Sequence, residues 1–282
     1  NKNVTKKFIE YTHERYAEYL QDDFGGNIPS IFTDEPMFCP FDRLSNPDAT
    51  DDVRIPYTDD IPATYRKATG RDVFEDLPEV IWERDPNCLS QARYLYRDHI
   101  AQRFVNGYMK PISDWCKAHN LGFTGHLMAE QDLEGQSNCA GDVMRSYKYF
   151  SIPGVDNLCD LREFNTLKQA QSSKNQFGNE GMTSELYGVN QWDFDFRHFK
   201  HSGDWQAALG VTNRVHHLTL ASMKGEAKRD YPASIGYQSP WYTEFSYIEN
   251  HFKRLNTVLT RGKAIVKIGV IHPVETMWLY LG

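Results

Sequence analysis

Two carboxylates, Asp34 and Glu35, follow directly on the apolar run Ile28-Pro29-Ser30-Ile31-Phe32 and stand before Pro36. In α/β folds function sits at the C-terminal ends of strands, so an apolar run that ends in paired acids is a site signal. The chemistry it suits is proton donation. Burial raises a carboxyl pKa, and a neighbouring carboxylate raises it further, leaving an acid that keeps its proton near neutral pH. Glu35 is the candidate acid and Asp34 a candidate substrate contact. A solvated acidic turn, or a helix start with Pro36 in its first turn, is the alternative; the apolar run in front favours the acid.

A second carboxylate, Glu185, lies in Thr183-Ser184-Glu185-Leu186-Tyr187-Gly188. Tyr187 and Trp192 are its candidate partners, because a tyrosine hydroxyl beside a carboxylate holds it ionised and oriented. A surface acid in a Gly-rich loop fits the same residues equally well. Gly125-His126-Leu127-Met128-Ala129-Glu130 offers His126 and Glu130 as contacts for sugar hydroxyls. A lone histidine at a strand end is nonetheless more often a hydrogen-bonded structural residue. His216 and His217 are neighbours in a strand, so one ring faces each side and the two are not a paired ligand set; His216 is a candidate binding residue. Arg229 in Lys228-Arg229-Asp230-Tyr231-Pro232 and Trp241 in Ser239-Pro240-Trp241-Tyr242 are candidate loop contacts for a sugar. No GxGxxG, P-loop, HExxH or GxSxG pattern occurs, so nucleotide, zinc-protease and serine-hydrolase readings lack support.

The elements that must position these residues alternate. Strand candidates are Ile28 to Phe32, Gly122 to His126, Val155 to Leu158, Met182 to Glu185 and Val211 to Leu220. Helical patterns run over Val4 to Leu20, Leu89 to Ala118 (kinked or divided at Pro111), Val143 to Phe150, Thr166 to Ser173, Phe194 to Leu209 and Trp241 to Leu259. Strand, helix, strand, helix predicts a parallel α/β architecture. A continuous apolar strand, Ala264 to Ile271, follows.

Composition bounds the rest. The 282 residues are 40% hydrophobic, enough for a core without staples. A formal charge of −7 argues against a nucleic-acid partner. Aromatics make up 13%, which suits packing and also sugar faces. The five cysteines form no CxxC pair and read as reduced thiols rather than a disulfide framework or zinc motif. No apolar run approaches the ~20 residues that span a bilayer. The start, Asn1-Lys2-Asn3, carries no apolar signal stretch and no Met, which reads as a partial chain. Localisation, cytoplasmic or secreted, is not legible.

The segments IPSIFTDEP, GHLMAEQDL, GDVMRSYKYFSIPGVDNL, SELYG, GDWQAALGV, KRDYP and SPWY resemble bacterial glycoside hydrolases. They are similar to glycoside hydrolase family 106 α-L-rhamnosidases and, more loosely, to family 42 β-galactosidases and related clan A barrels. The resemblance spans about Ile28 to Trp278. It implies a TIM-type (β/α) barrel over 1–262, present as its C-terminal strands only, and over 263–282 the first strand of a truncated flavodoxin-like domain. By clan A analogy the acid glutamate ends strand four and the second glutamate ends strand seven. Glu35 and Glu185 fit that count, with Asp34 where an Asn is usual. The implied activity is hydrolysis of a glycoside or oligosaccharide, with Glu35 as acid and Glu185 as nucleophile or base. A carboxyl separation of ~5–5.5 Å would imply retention, and ~6.5–9.5 Å inversion. Family 106 also implies an inverting, calcium-associated enzyme, but no dense Asp-x-Asp-x-Asp loop is present and no cofactor is expected. Neither a membrane nor a nucleic acid is expected as partner; the missing barrel portion or a second copy would complete the fold. The rival readings are a non-catalytic carbohydrate-binding barrel and a metal-dependent lyase or isomerase with Asp34, Glu35, His126 and Glu130 around one ion.

Overall fold

The computed structural model describes residues 1–85, 87–158, 162–179, 181–228 and 235–281. The chain divides into two compact units: Asn1–Phe123 with Leu127–Tyr149 and Ile268–Gly282, and Thr124–His126 with Phe150–Lys267. Five short strands, β1 (Ser30–Thr33), β2 (Gly122–Gly125), β3 (Ile152–Asp156), β4 (Thr183–Leu186) and β5 (Asn213–His216), make one sheet in the order β1-β2-β3-β4-β5. The pairs from β2 to β5 are parallel.

This corrects the expected TIM-type barrel. The described strands form an open sheet whose order stops at β1 on one side and β5 on the other, not a closed (β/α)8 barrel. Closure takes eight strands whose outer edges meet. The α/β class holds, because parallel neighbours require crossover segments and helices supply them here.

Residues 264–271, expected as a strand, take no regular structure. Ile265, Ile268, Val270 and Ile271 are 86%, 81%, 89% and 88% exposed. A strand apolar on both faces is stable only inside a sheet covered on both faces, and no described strand pairs with this segment.

In the first unit, the long pattern ending at Ala118 divides as Pro111 predicts. Helix Gln91–Phe104 passes through a π-helical turn, Val105–Met109, into helix Lys110–Ala118. Pro111 has no N–H for the carbonyl four residues back. That carbonyl, on Gly107, receives the buried Thr5 hydroxyl instead. Phe41, Ile61, Tyr65, Val73, Val80, Tyr96 and Ile100 form the local core. Helix Val274–Tyr280 docks through Trp278, fully buried, whose indole N–H donates to the Gly141 carbonyl at 3.2 Å. Arg93 and Arg97 reach the carbonyls of Leu279 and Leu281 at 2.9 and 3.3 Å. Burial lowers the Arg97 guanidinium to about 9.

In the second unit, helices Phe164–Phe177, Phe196–Ala208 and Ser246–Leu259 follow β3, β4 and β5. Leu186, Tyr187, Phe194, Phe199, Ile248 and Phe252 pack into one core between β4 and the last two helices. Gly154 of β3 lies so close to β2 that a Cβ there would sit 2.3 Å from the Gly125 carbonyl oxygen. Backbone cannot yield as a flexible side chain does. Gly154→Ala is therefore expected to cost ~1–3 kcal/mol, the range for overpacking, read as a lower urea midpoint at unchanged m. A midpoint within experimental error of the parent would show that the strands part freely.

Candidate functional site

Strand alternation sorts the polar residues of the second unit. Successive side chains point to opposite faces. In β4 Ser184 donates to Gln206 of helix Phe196–Ala208 at 2.6 Å, and Leu186 enters the core, so both face the helices. Thr183 and Glu185 therefore face the other side. Register carries that face across the sheet: Asp156 pairs with Glu185, and Glu185 with Val215. Thr124 joins it through a 3.3 Å hydroxyl contact with Thr183. His126, two residues past Thr124, and His217, two past Val215, follow.

Four titratable side chains from four strand ends thus form a row. Asp156 Oδ2 lies 3.9 Å from His126 Nε2, and His126 Nδ1 lies 3.8 Å from Glu185 Oε2. The other Glu185 oxygen, Oε1, lies 4.0 Å from His217 Nε2. His126 is buried, and its side chain is 1% exposed. Each Glu185 oxygen thus faces an imidazole, and one of the two imidazoles also faces a second carboxylate. An imidazole N–H beside a carboxylate favours the ionised form and fixes its direction.

On the helix side the alternation brings a second group together. Arg214 donates to Glu249 at 2.6 Å and to the Tyr187 hydroxyl at 3.3 Å, and its guanidinium lies 3.9 Å from the Phe252 ring centre. His216 Nε2 is 3.4 Å from Glu249. The chain after Glu185 turns left-handed, with φ 71° at Tyr187 and 53° at Val189, a region that costs non-glycine residues energy. Tyr187 is buried and its ring meets Phe199 edge-on at 4.8 Å. Burial pushes its hydroxyl up to about 12. The His216 bond, then Arg214, hold Glu249 down at about 2, against desolvation. A lowered folded value contributes stability above the ordinary 4.5 that is lost as pH falls toward 2. Because the Glu249 side chain is 45% exposed, solvent screens much of it. Glu249→Gln is expected to flatten the loss of thermal stability across that acid window, in melting curves taken at stepped pH. An unchanged slope would remove Glu249 from the acid response.

In the first unit Asp34 and Glu35 follow β1, whose Thr33 hydroxyl lies 2.9 Å from the Tyr108 hydroxyl. Glu35 sits at φ 44°. Burial first, then the Asp34 charge, raise its carboxyl above the ordinary range. Glu130 is buried in the turn after β2, with Ala129 at φ 56°. Its Oε2 accepts from the Tyr147 hydroxyl at 2.5 Å and from the Leu127 N–H at 3.2 Å. Burial, then Glu130, push the Tyr147 hydroxyl well above its ordinary value.

The expected site residues therefore fall in different places. Glu185 and His126 come together. Tyr187 and His216 lie on the helix side with Glu249, and Glu130 serves the turn after β2. Trp192 and Trp241 are half-buried, Trp241 within 6.5 Å of the Phe196 ring. Arg229 lies outside the described residues, as does Cys159; Cys39, Cys88, Cys116 and Cys139 are free thiols. Asp156 and His217 were not among the expected site residues. Their signal was parity within a strand, usable only with the cross-strand register. A calcium ion takes six to eight oxygen ligands. The row of the second unit alternates two carboxylates with two imidazoles and does not fit one.

No family model matches the chain, and no curated protein matches it. Among solved structures, a rhamnosidase from Novosphingobium sp. PP1Y superposes with a TM-score of 0.69 at 15% identity, over 93% of this chain. The chain spans 25% of the length of that solved chain. At this identity the likeness is one of fold: the chain shares the fold of part of that enzyme.

Proposed function

We propose that this chain carries part of the machinery of a glycoside hydrolase and that Glu185 acts on the substrate as nucleophile or base. The observation that carries the reading is the Glu185 carboxylate at the end of β4, with an imidazole opposite each oxygen at 3.8 and 4.0 Å. A carboxylate that must attack an anomeric carbon, or take a proton from water, has to be ionised and aimed, and flanking imidazoles favour both when they present an N–H. The shared fold of a rhamnosidase supports the same class. Glu35 is proposed as the general acid from its place just past the end of β1, where burial and the Asp34 charge raise its carboxyl. In this reading Glu35 protonates the glycosidic oxygen as the bond breaks, and Glu185 stabilises or captures the cationic sugar carbon, directly or through water.

The test is hydrolysis of a panel of 4-nitrophenyl glycosides, α-L-rhamnoside first, by the protein that contains this chain. Release of nitrophenol that disappears in Glu185→Gln supports the reading. Release that persists in the variant, or none from any glycoside with folded protein, sinks it.

A further inference from the structure

Asp156 and Glu185 sit opposite each other on β3 and β4, and one side chain from the helix side touches the chain next to both. Gln206, in the last turn of helix Phe196–Ala208, is completely buried. Its Nε2 donates to the carbonyl and the side-chain oxygen of Asn157, each at 3.2 Å. Asn157 is the residue after Asp156. Gln206 Oε1 accepts the Ser184 hydroxyl at 2.6 Å, and Ser184 is the residue before Glu185. Asn157 in turn donates its backbone N–H to the Glu185 carbonyl at 3.0 Å. Ser184 and Asn157 are also completely buried.

One amide thus bridges two strand ends at the positions that flank the two carboxylates. Backbone pairing alone leaves short parallel strands free to twist and splay at their ends, and both carboxylates sit at such ends. Gln206 removes that freedom, because its amide plane has to meet both strands at once. Stability alone is a poor account of the arrangement. Asn157 Nδ2 is buried without a hydrogen-bond partner, a cost that apolar side chains of the same size would avoid.

We propose that Gln206 is a positioning residue: it sets the spacing of Asp156 and Glu185, and through it their alignment on the two ring nitrogens of His126. The proposal rests on Glu185 being the reacting carboxylate, but its main test does not use activity. Ring signals of His126 are followed by NMR against pH, assigned with His126→Gln. Their midpoints are compared in the parent, Glu185→Gln, Gln206→Met and the milder Ser184→Ala, each checked for folding by circular dichroism. His126 faces Asp156 and Glu185, so Glu185→Gln lowers the His126 midpoints. Gln206→Met is expected to move them at least ~0.5 unit toward the Glu185→Gln values, and Ser184→Ala by less in the same direction. Should Gln206→Met fail to fold, Ser184→Ala carries the decision alone. Lower thermal stability with unmoved midpoints overturns the proposal and leaves Gln206 as packing. With a hydrolysed glycoside in hand, the expectation adds a fall in kcat of at least ~10-fold with KM within ~2-fold; a fall confined to KM counts against it. If no glycoside is turned over while the midpoints move as expected, positioning stands and the hydrolase reading falls.

Discussion

Glu185→Gln is expected to lower kcat by ~10³-fold or more on any glycoside the protein hydrolyses, with the fold intact. The amide keeps the shape of the carboxylate but can neither attack an anomeric carbon nor take a proton from water. It also keeps an oxygen and a polar nitrogen opposite the two imidazoles, 3.8 and 4.0 Å from the carboxylate oxygens, and a neutral imidazole offers both a donor and an acceptor nitrogen, so the melting temperature should move little compared with the rate. The anomer first released by the parent, read by proton NMR, then divides the two roles. Retained configuration makes Glu185 a nucleophile, and inverted configuration makes it a base. Activity within ~3-fold of the parent would remove Glu185 from the chemistry.

Glu35→Gln is the second large effect. Burial, and then the Asp34 charge, hold the Glu35 carboxyl above its ordinary range. An acid of this kind works only while protonated, so activity should decline as pH rises through that raised value. The glutamine variant lacks that proton at every pH. We expect a loss of ~10² to 10⁴-fold on alkyl glycosides, whose leaving groups need protonation, and a much smaller loss on 2,4-dinitrophenyl glycosides, which depart without it. The basic limb of the pH profile should vanish in the variant. Asp34→Asn tests the cause: without the neighbouring charge the Glu35 pKa falls, and the limb should shift to lower pH. Equal losses on both leaving groups would show that Glu35 does not donate the proton.

Much of the local structure was legible in the residues. Ile28 to Phe32 foretold β1 within two residues, Gly122 to His126 foretold β2, and Met182 to Glu185 foretold β4 within one. Pro111 marked the division of the long helix, because a missing N–H acts on the turn that contains it. The adjacency of Asp34 and Glu35 supplied the second cause of the raised acid, the neighbouring charge; burial, the larger cause, is set by tertiary packing. The helices Val73–Ile81, Leu133–Cys139 and Val274–Tyr280 escaped. Pro78 lies inside the first, and the other two have seven residues each, too few for a period to show. The run Ala264 to Ile271 misled in the opposite sense: its composition suits a buried strand, but strand formation needs a neighbour that composition does not supply.

The sequence by itself determined the class of the fold, the order of its five strands, and the presence of acids at two strand ends. These follow from periodicity and near-neighbour chemistry, which act over a few residues. It also determined that His216 and His217 must part, since alternation is a property of a single strand. Only the tertiary structure decided which went where. His217 faces Glu185 while His216 joins Arg214 and Glu249, and Gln206 bonds beside Asp156 and Glu185, because register between strands brings together residues tens of positions apart. The same non-local pairing decided that the described strands form an open sheet: closure is a relation between two edges, and no run of residues encodes it alone.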